Sequence, residues 1–207
     1  MREEEKIFAG RFYTPSKPEL RQLKRTAHNL NQAYNACYED EQEKRDAILR
    51  QLLGQIGDRF FLQGPIYFHY GSHTKIGCDF FANFNFTVQD DAEVTIGDRC
   101  CFGPNVTIVT PLHPMLPEER AAFPDENGEM RHMCYAKPVH IGSDCWFGAN
   151  VVVCPGVRIG DGCVIGAGSV VLRDIPAGNF AAGNPCRVIR LLTEKDSLRG
   201  HRELYGE

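Results

Sequence analysis

The chain has 207 residues, enough to bury a sizeable core in one domain with a small appendage. A net charge of -4 with interleaved acids and bases leaves no electrostatic footprint for nucleic acid or a membrane surface, and no apolar run is long enough for a membrane span. Nine cysteines without CxxC spacing follow a charged N-terminus unlike a signal peptide, so they read as reduced thiols of a cytoplasmic protein. Small-molecule chemistry is the starting expectation.

Residues 1–57 have helix composition, rich in Glu, Lys, Arg, Gln and Leu. Pro18 suits a helix start with Ser16 as its cap, and Leu20, Leu23, Ala27, Leu30 and Tyr34 follow at helical spacing. A second helix is expected over about 40–53, with Ala47, Ile48, Leu52 and Leu53 on one side and Gly54 as its stop. The two should form a helical hairpin. The stretch 60–73 is too aromatic for a solvated linker and reads as an extended bridge that starts the core.

From Ile76 a period of six appears: IGCDFF, ANFNFT, VQDDAE, then, after Val94 and Thr95, IGDRCC, FGPNVT and IVTPLH. Residues 114–140 break the register. It resumes as IGSDCW, FGANVV, VCPGVR, IGDGCV, IGAGSV and VLRDIP, then frays in AGNFAA. First positions are aliphatic, aromatic or Ala; Gly is common at the second; the fifth is small or β-branched, as at Cys100, Val106, Cys145, Val151 and Cys163. Six-residue sides that turn a corner need an inward residue per side and tolerance of unusual backbone angles near each corner. Three sides close a triangular coil, and coils stack at roughly 4.8 Å. Two complete coils precede the gap and two follow, with the helices or the C-terminal tail as end caps. A β-sandwich fits less well, because its strands recur every eight to twelve residues or so.

FFANFN, VTIGD, PNVTI, His113-Pro114, NGEM, VVVCPGVRIGD, IGAGSVV and AGNPCRVIR together resemble the galactoside and maltose O-acetyltransferases among the hexapeptide-repeat acyltransferases. Residues 1–57 resemble that group's N-terminal helical region. The resemblance implies a mainly β fold, a left-handed parallel β-helix of hexapeptide repeats with an N-terminal helical region. The handedness comes from the resemblance alone, since parallel crossovers are ordinarily right-handed. The implied divisions are 1–57, a β-helix over 58–187 with an excursion at 114–140, and a tail over 188–207. Acetyl-CoA as co-substrate, no resident metal, a hydroxylated small-molecule acceptor such as a sugar, and a homotrimer with active sites between subunits are implied likewise.

By the same resemblance His113 is the general base, which deprotonates the acceptor hydroxyl. Imidazole suits the task, being largely neutral at pH 7 yet basic enough to accept the proton, with a backbone carbonyl expected to hold its other nitrogen. On position alone, a surface histidine at a loop root is the commoner reading. Oxyanion donors are expected among backbone N–H groups near residues 147–149. Acceptor contacts fall on His69, Asn83, Asp91 and Met130, although Asn83 and Asp91 also suit corner turns of the repeat. Donor contacts fall on Trp146, on the main chain of Gly148, Ala149 and Ala167, and on Arg173, Arg187 and Arg190 near the nucleotide phosphates.

Departures from the pattern concern mainly the acceptor. Pro15 stands where those enzymes have an acceptor-binding aspartate, His69 where they have a serine, and the excursion is longer by PEERAAFPDEN. On the donor side, Leu172 replaces a threonine. Serine, an antibiotic or a polysaccharide sugar are therefore alternative acceptors. A zinc enzyme built from His69, His73, His113, His132 and His140 is a competing reading that lacks the spacing it needs. A non-catalytic scaffold is disfavoured by His113, Trp146 and PCRVIR.

Overall fold

The computed structural model describes residues 1–125 and 127–206. Three helices, α1 (Glu3–Phe8), α2 (Pro18–Asn35) and α3 (Gln42–Leu52), precede a stack of parallel three-sided coils. The first face stacks Gln55–Ile56, Thr74–Ile76, Val94–Ile96, Val139–Ile141 and Arg158–Ile159. The second stacks Phe61–Leu62, Phe81–Ala82, Cys101–Phe102, Trp146–Phe147, Val164–Ile165 and Asn179–Ala182. The third stacks Ile66–Phe68, Phe86–Gln89, Thr107–Val109, Val152–Val153 and Val170–Val171. The first corner joins faces one and two, the second joins two and three, and the third leads into the next coil.

Parallel pairing aligns Ile56, Ile76, Ile96, Ile141 and Ile159 in one interior ladder, extended by a bridge to Ile175. First- and fifth-position side chains point inward together: Ile96, Cys100, Phe102, Val106 and Ile108 are all buried. The early coils are filled by aromatics, with Phe80, Phe86, Phe102 and Phe147 in successive ring contacts of 4.4–5.8 Å. Tilted and edge-on rings at this spacing add to the free energy of burial.

The coil begins one turn earlier than the repeat suggested. Ile56–Phe61 reads IGDRFF, a near copy of IGDRCC at 96–101, and the aromatic bridge is itself a complete coil paired in register with the next. Bulky Gln63 stands where Gly103, Gly148 and Gly166 follow the inward residue in later coils, which obscured its periodicity.

The second-position glycines serve close stacking, not unusual backbone angles. A Cβ at Gly97, Gly142 or Gly148 would lie 2.6 Å from the backbone nitrogen of Ser143, Asp161 or Ala167 in the next coil. The left-handed conformation belongs to the fourth position, at Arg99 (φ 53°), Asn105 (φ 60°), Asp144 (φ 60°) and Asn150 (φ 59°). That geometry is unusual for Arg. Its side chain pairs with Asp144 (Nε–Oδ1 2.6 Å), while Asn85, Asn105 and Asn150 form an amide ladder of 2.9 and 3.0 Å.

The helices cap the N-terminal end. Asn31 and Asn35 of α2 each accept from and donate to the edge strand Ile66–Phe68, at the backbone of Phe68 and Ile66. Four helical residues rise about 6.0 Å and two strand residues about 6.6 Å, so the two amides match alternate strand positions and blunt the open edge. Buried Arg45 of α3 donates to the carbonyls of Leu62 and Gln63 and lies over the Tyr34 and Phe61 rings. At the other end Arg187–Leu191 turns back antiparallel on Asn179–Ala182. The expected hairpin of α2 and α3 is present; α1 was not expected. Ser16 does not cap α2, whose N-cap is Lys17 without a side-chain bond.

Candidate active site

The excursion leaves from the third corner of the third coil. Buried Thr110 fixes its root: Thr110 donates its N–H to Gln89 O, its Oγ1 accepts from Ala92 N–H, and its carbonyl accepts from Lys137 N–H (3.0–3.1 Å). Pro111–Leu112 then pairs antiparallel with Tyr135–Ala136, and His113 follows, exposed to solvent. Its Nδ1 lies 3.5 Å from Cys134 Sγ, so a side-chain sulfur rather than the expected backbone carbonyl holds the ring. Burial pushes the Cys134 thiol up to about 11, which keeps it protonated at neutral pH.

Cys134 is placed by the N-terminal segment. Tyr13 and Cys134 exchange both backbone hydrogen bonds (2.9 and 3.1 Å), and the Tyr13 hydroxyl donates to Asp91 Oδ1 at 2.5 Å. Asp91 is buried, and its Oδ2, like the Tyr70 hydroxyl, has no partner among the described residues. Beside it Asp90 accepts from Tyr70 N–H and the Thr74 hydroxyl (both 2.8 Å), and burial pushes its carboxyl up to about 6. His73 presents Nδ1 to the carbonyls of Asp90 and Asp91 and Nε2 to Glu4 Oε1. His69 is half-buried, edge-on to Tyr70 at 4.7 Å, and burial lowers its pKa. The two aromatic hydroxyls and Cys134 went unnoticed in the sequence because none sits on the repeat.

The first and second corners differ in how their amides are used. At the first, Cys78, Asp98 and Ser143 N–H groups donate to Asp98 Oδ1, Ser143 Oγ and Asp161 Oδ1 (2.7–3.1 Å), sealing the edge. At the second, Asn83, Gly103, Gly148 and Gly166 form one column whose N–H groups donate to the next coil's carbonyls (2.8–2.9 Å). The following residues, Ala149 and Ala167, offer N–H groups that find no partner among the described residues. Gly148 is thus already committed, and Ala149 is the free donor of the 147–149 group.

Trp146 stands on the second face beside Cys101 and Val164, 56 % exposed. Arg173 and Arg187 are exposed. Arg190 is engaged by Asp196 (2.8 and 2.5 Å), whose carboxyl it holds down to about 2.

The predicted residues therefore form two groups. His113, Asp91 and His69 gather at the third corner; Asn83, Gly148, Ala149 and Ala167 line the second, with Trp146 on the adjoining face. A six-residue side of about 20 Å separates the two edges within one chain. Met130 joins neither group: it lies 57 % exposed on a hairpin of Phe123–Pro124 with Met130–Arg131, while Arg131 donates to Asp125 and to Ser16. His140 bonds Thr95 on the first face. Among the described residues no three His, Cys, Asp or Glu side chains are arranged to hold a metal ion, and no helix is long and apolar enough to cross a membrane.

Two family descriptions match the chain: bacterial transferase hexapeptide (six repeats) over 138–173, and maltose acetyltransferase hexapeptide capping motif over 6–57. The galactoside O-acetyltransferase of Escherichia coli (strain K12) is 42% identical over 93% of this chain and 90% of that one. A solved galactoside acetyltransferase in complex with coenzyme A superimposes with a TM-score of 0.86 at 40% identity, covering 95% of this chain and 94% of that one. A maltose O-acetyltransferase from Clostridium difficile 630 gives 0.86 at 39% identity, with 94% and 99% covered.

Proposed function

Because this chain belongs to the galactoside and maltose O-acetyltransferase group of hexapeptide-repeat transferases, we propose that His113 is the base of a direct acetyl transfer to a small-molecule hydroxyl. The chain is an acetyl-CoA-dependent O-acetyltransferase, as its near-full-length relatives and the coenzyme A complex indicate. The observation that carries the role of His113 is its position: exposed at the root of the excursion, with Nδ1 against Cys134 and Nε2 without a partner among the described residues.

In the tautomer that donates Nδ1–H to the sulfur, Nε2 keeps its lone pair and takes the acceptor's hydroxyl proton. The oxygen attacks the thioester carbonyl, a C–O bond forms, and the tetrahedral oxyanion is held by the Ala149 N–H. Collapse breaks the C–S bond, and the imidazolium returns its proton to the leaving thiolate. Each atom is accounted for without a covalent acetyl-enzyme.

The donor lies along the second corner, where Ala167 pairs its free N–H with a pantetheine amide and the lack of bulk at Gly148, Ala149 and Ala167 admits the chain. Trp146 flanks the channel; Arg173, Arg187 and Arg190 face the nucleotide phosphates, with Arg190 exchanging Asp196 for phosphate. His69, Asp91 and Met130 are the acceptor contacts that the resemblance implies. Since base and donor edge are about 20 Å apart in one chain, the site assembles between two copies, with Asn83 from the donor-side copy, in a homotrimer in the cytoplasm.

Thiol release from acetyl-CoA over a panel of sugars, amino alcohols and phenols tests the reading, and light scattering tests the assembly. Release dependent on a hydroxylated acceptor and a mass of three chains are expected. Absence of transfer to every acceptor, or a monomer that turns over at full rate, would overturn it.

A further inference from the structure

Tyr13 bridges Cys134, whose sulfur meets His113, and beyond that bridge the chain turns at residues 14–17 into α2. A cavity of about 210 Å³ opens there, lined by Pro15, Ser16, Arg21, Lys24 and His132. None of its lining residues is acidic. Glu3 is paired with Lys6, and Asp125 and Glu129 are paired with Arg131. Neither Arg21 nor Lys24 pairs with a carboxylate among the described residues. Lys24 is half-buried, where an unpaired ammonium is costly, and it lies close enough to Cys134 and His69 to act on both electrostatically.

Resting on the acetyl-transfer reading above, we infer that the acceptor is an anion: a hydroxylated small molecule whose carboxylate or phosphate occupies this cavity while its hydroxyl sits on His113. The volume is that of a subsite rather than of a whole ligand pocket. Arg21 supplies a guanidinium fork, Lys24 a point charge, and the Ser16 hydroxyl and His132 further polar contacts. Pro15 and His132 lie two residues along the chain from Tyr13 and Cys134, so one small molecule can hold its anionic group in the cavity and its hydroxyl on His113.

The test uses matched triads of acceptors, such as galactose, galacturonate and galactose 6-phosphate, with thiol release measured for the wild type, Lys24→Glu and Lys24→Arg. One of the two anionic members is expected to exceed the neutral sugar in kcat/KM by at least about tenfold, with the preference falling as salt is raised. Lys24→Glu should lower the ratio of anionic to neutral kcat/KM by at least about tenfold and Lys24→Arg should retain most of it. An unchanged acetyl-CoA KM reports that the variants fold. Which anionic member gains separates carboxylate from phosphate. Equal or better use of the neutral sugar, or a preference that survives Lys24→Glu, overturns the inference while leaving acetyl transfer standing. If no acceptor turns over, the acetyl-transfer reading itself fails. Calorimetric titration of the same triads into CoA-saturated protein then decides: anion binding lost in Lys24→Glu supports the cavity, and its absence refutes it.

Discussion

At the second corner the outward groups repeat from coil to coil: backbone N–H groups beside the small residues Gly103, Gly148, Ala149, Gly166 and Ala167, and the amide ladder of Asn85, Asn105 and Asn150. At the third corner they belong to side chains brought from three separated segments, Tyr13 before α2, Asp91 in the second coil, and His113 with Cys134 on the excursion. The first edge is periodic and can lengthen by repetition. The second exists once, because it needs the N-terminal segment and the excursion to dock on each other. A donor shared by a whole enzyme group suits the periodic edge, and an acceptor that varies suits the docked one.

The largest expected effect lies at the docked edge. His113→Ala should lower kcat by about 10²–10⁴-fold with acetyl-CoA binding little changed, measured by steady-state kinetics and by calorimetry with CoA. A variant that keeps most of its turnover sinks the assignment. Next, Ala167→Trp should raise the acetyl-CoA KM by about 10–100-fold while leaving the thermal midpoint nearly unmoved, since the site is exposed. Gly148→Val should do the opposite and cost about 2–4 kcal/mol of stability, because its Cβ would meet Ala167 N. If both variants behaved alike, the division between stacking and binding roles at that edge would collapse.

Tyr13→Phe leaves both Asp91 oxygens buried without a partner, and should cost about 1–3 kcal/mol by denaturant titration. No measurable loss would show that the N-terminal segment is not held through this bond.

Asp90 provides a pH test. Its carboxyl sits at about 6 against the ordinary 3.8, so the folded state holds the proton more tightly. The contribution is full below the ordinary value and lost as pH rises through 6. Wild type should therefore gain about 1–2 kcal/mol on Asp90→Asn between pH 7 and pH 4, and a flat difference would refute the shift. The smallest effect is expected from Asp196→Ala, which releases Arg190 and should lower the acetyl-CoA KM about twofold. A rise would mean that the pair, not free Arg190, serves the donor.

The six-residue period, its break after the third coil and the inward positions were legible in the sequence because burial enforces them residue by residue: one polar residue at Ile96, Phe102 or Ile141 would face the core. The first coil was less so, since Gln63 stands where later coils carry Gly103, Gly148 and Gly166. His113 is marked as a candidate by its flanking motif, whereas Cys134, Tyr13 and Tyr70 carry no local pattern. Their importance comes from a backbone exchange between residues 121 positions apart and from a hydroxyl that reaches Asp91 across 78.

What the sequence determined by itself is therefore the coil, because each turn repeats the same demand for an inward apolar residue, a stacking glycine and a left-handed fourth position. Tertiary structure alone decided which edge each functional residue occupies. It placed His113 and the column of Gly148, Ala149 and Ala167 on different edges, placed Met130 outside both, and opened a basic cavity at Pro15. Contacts between segments far apart in the chain depend on how loops dock rather than on any local spacing, so they could be read only once the coil was closed and its ends were capped.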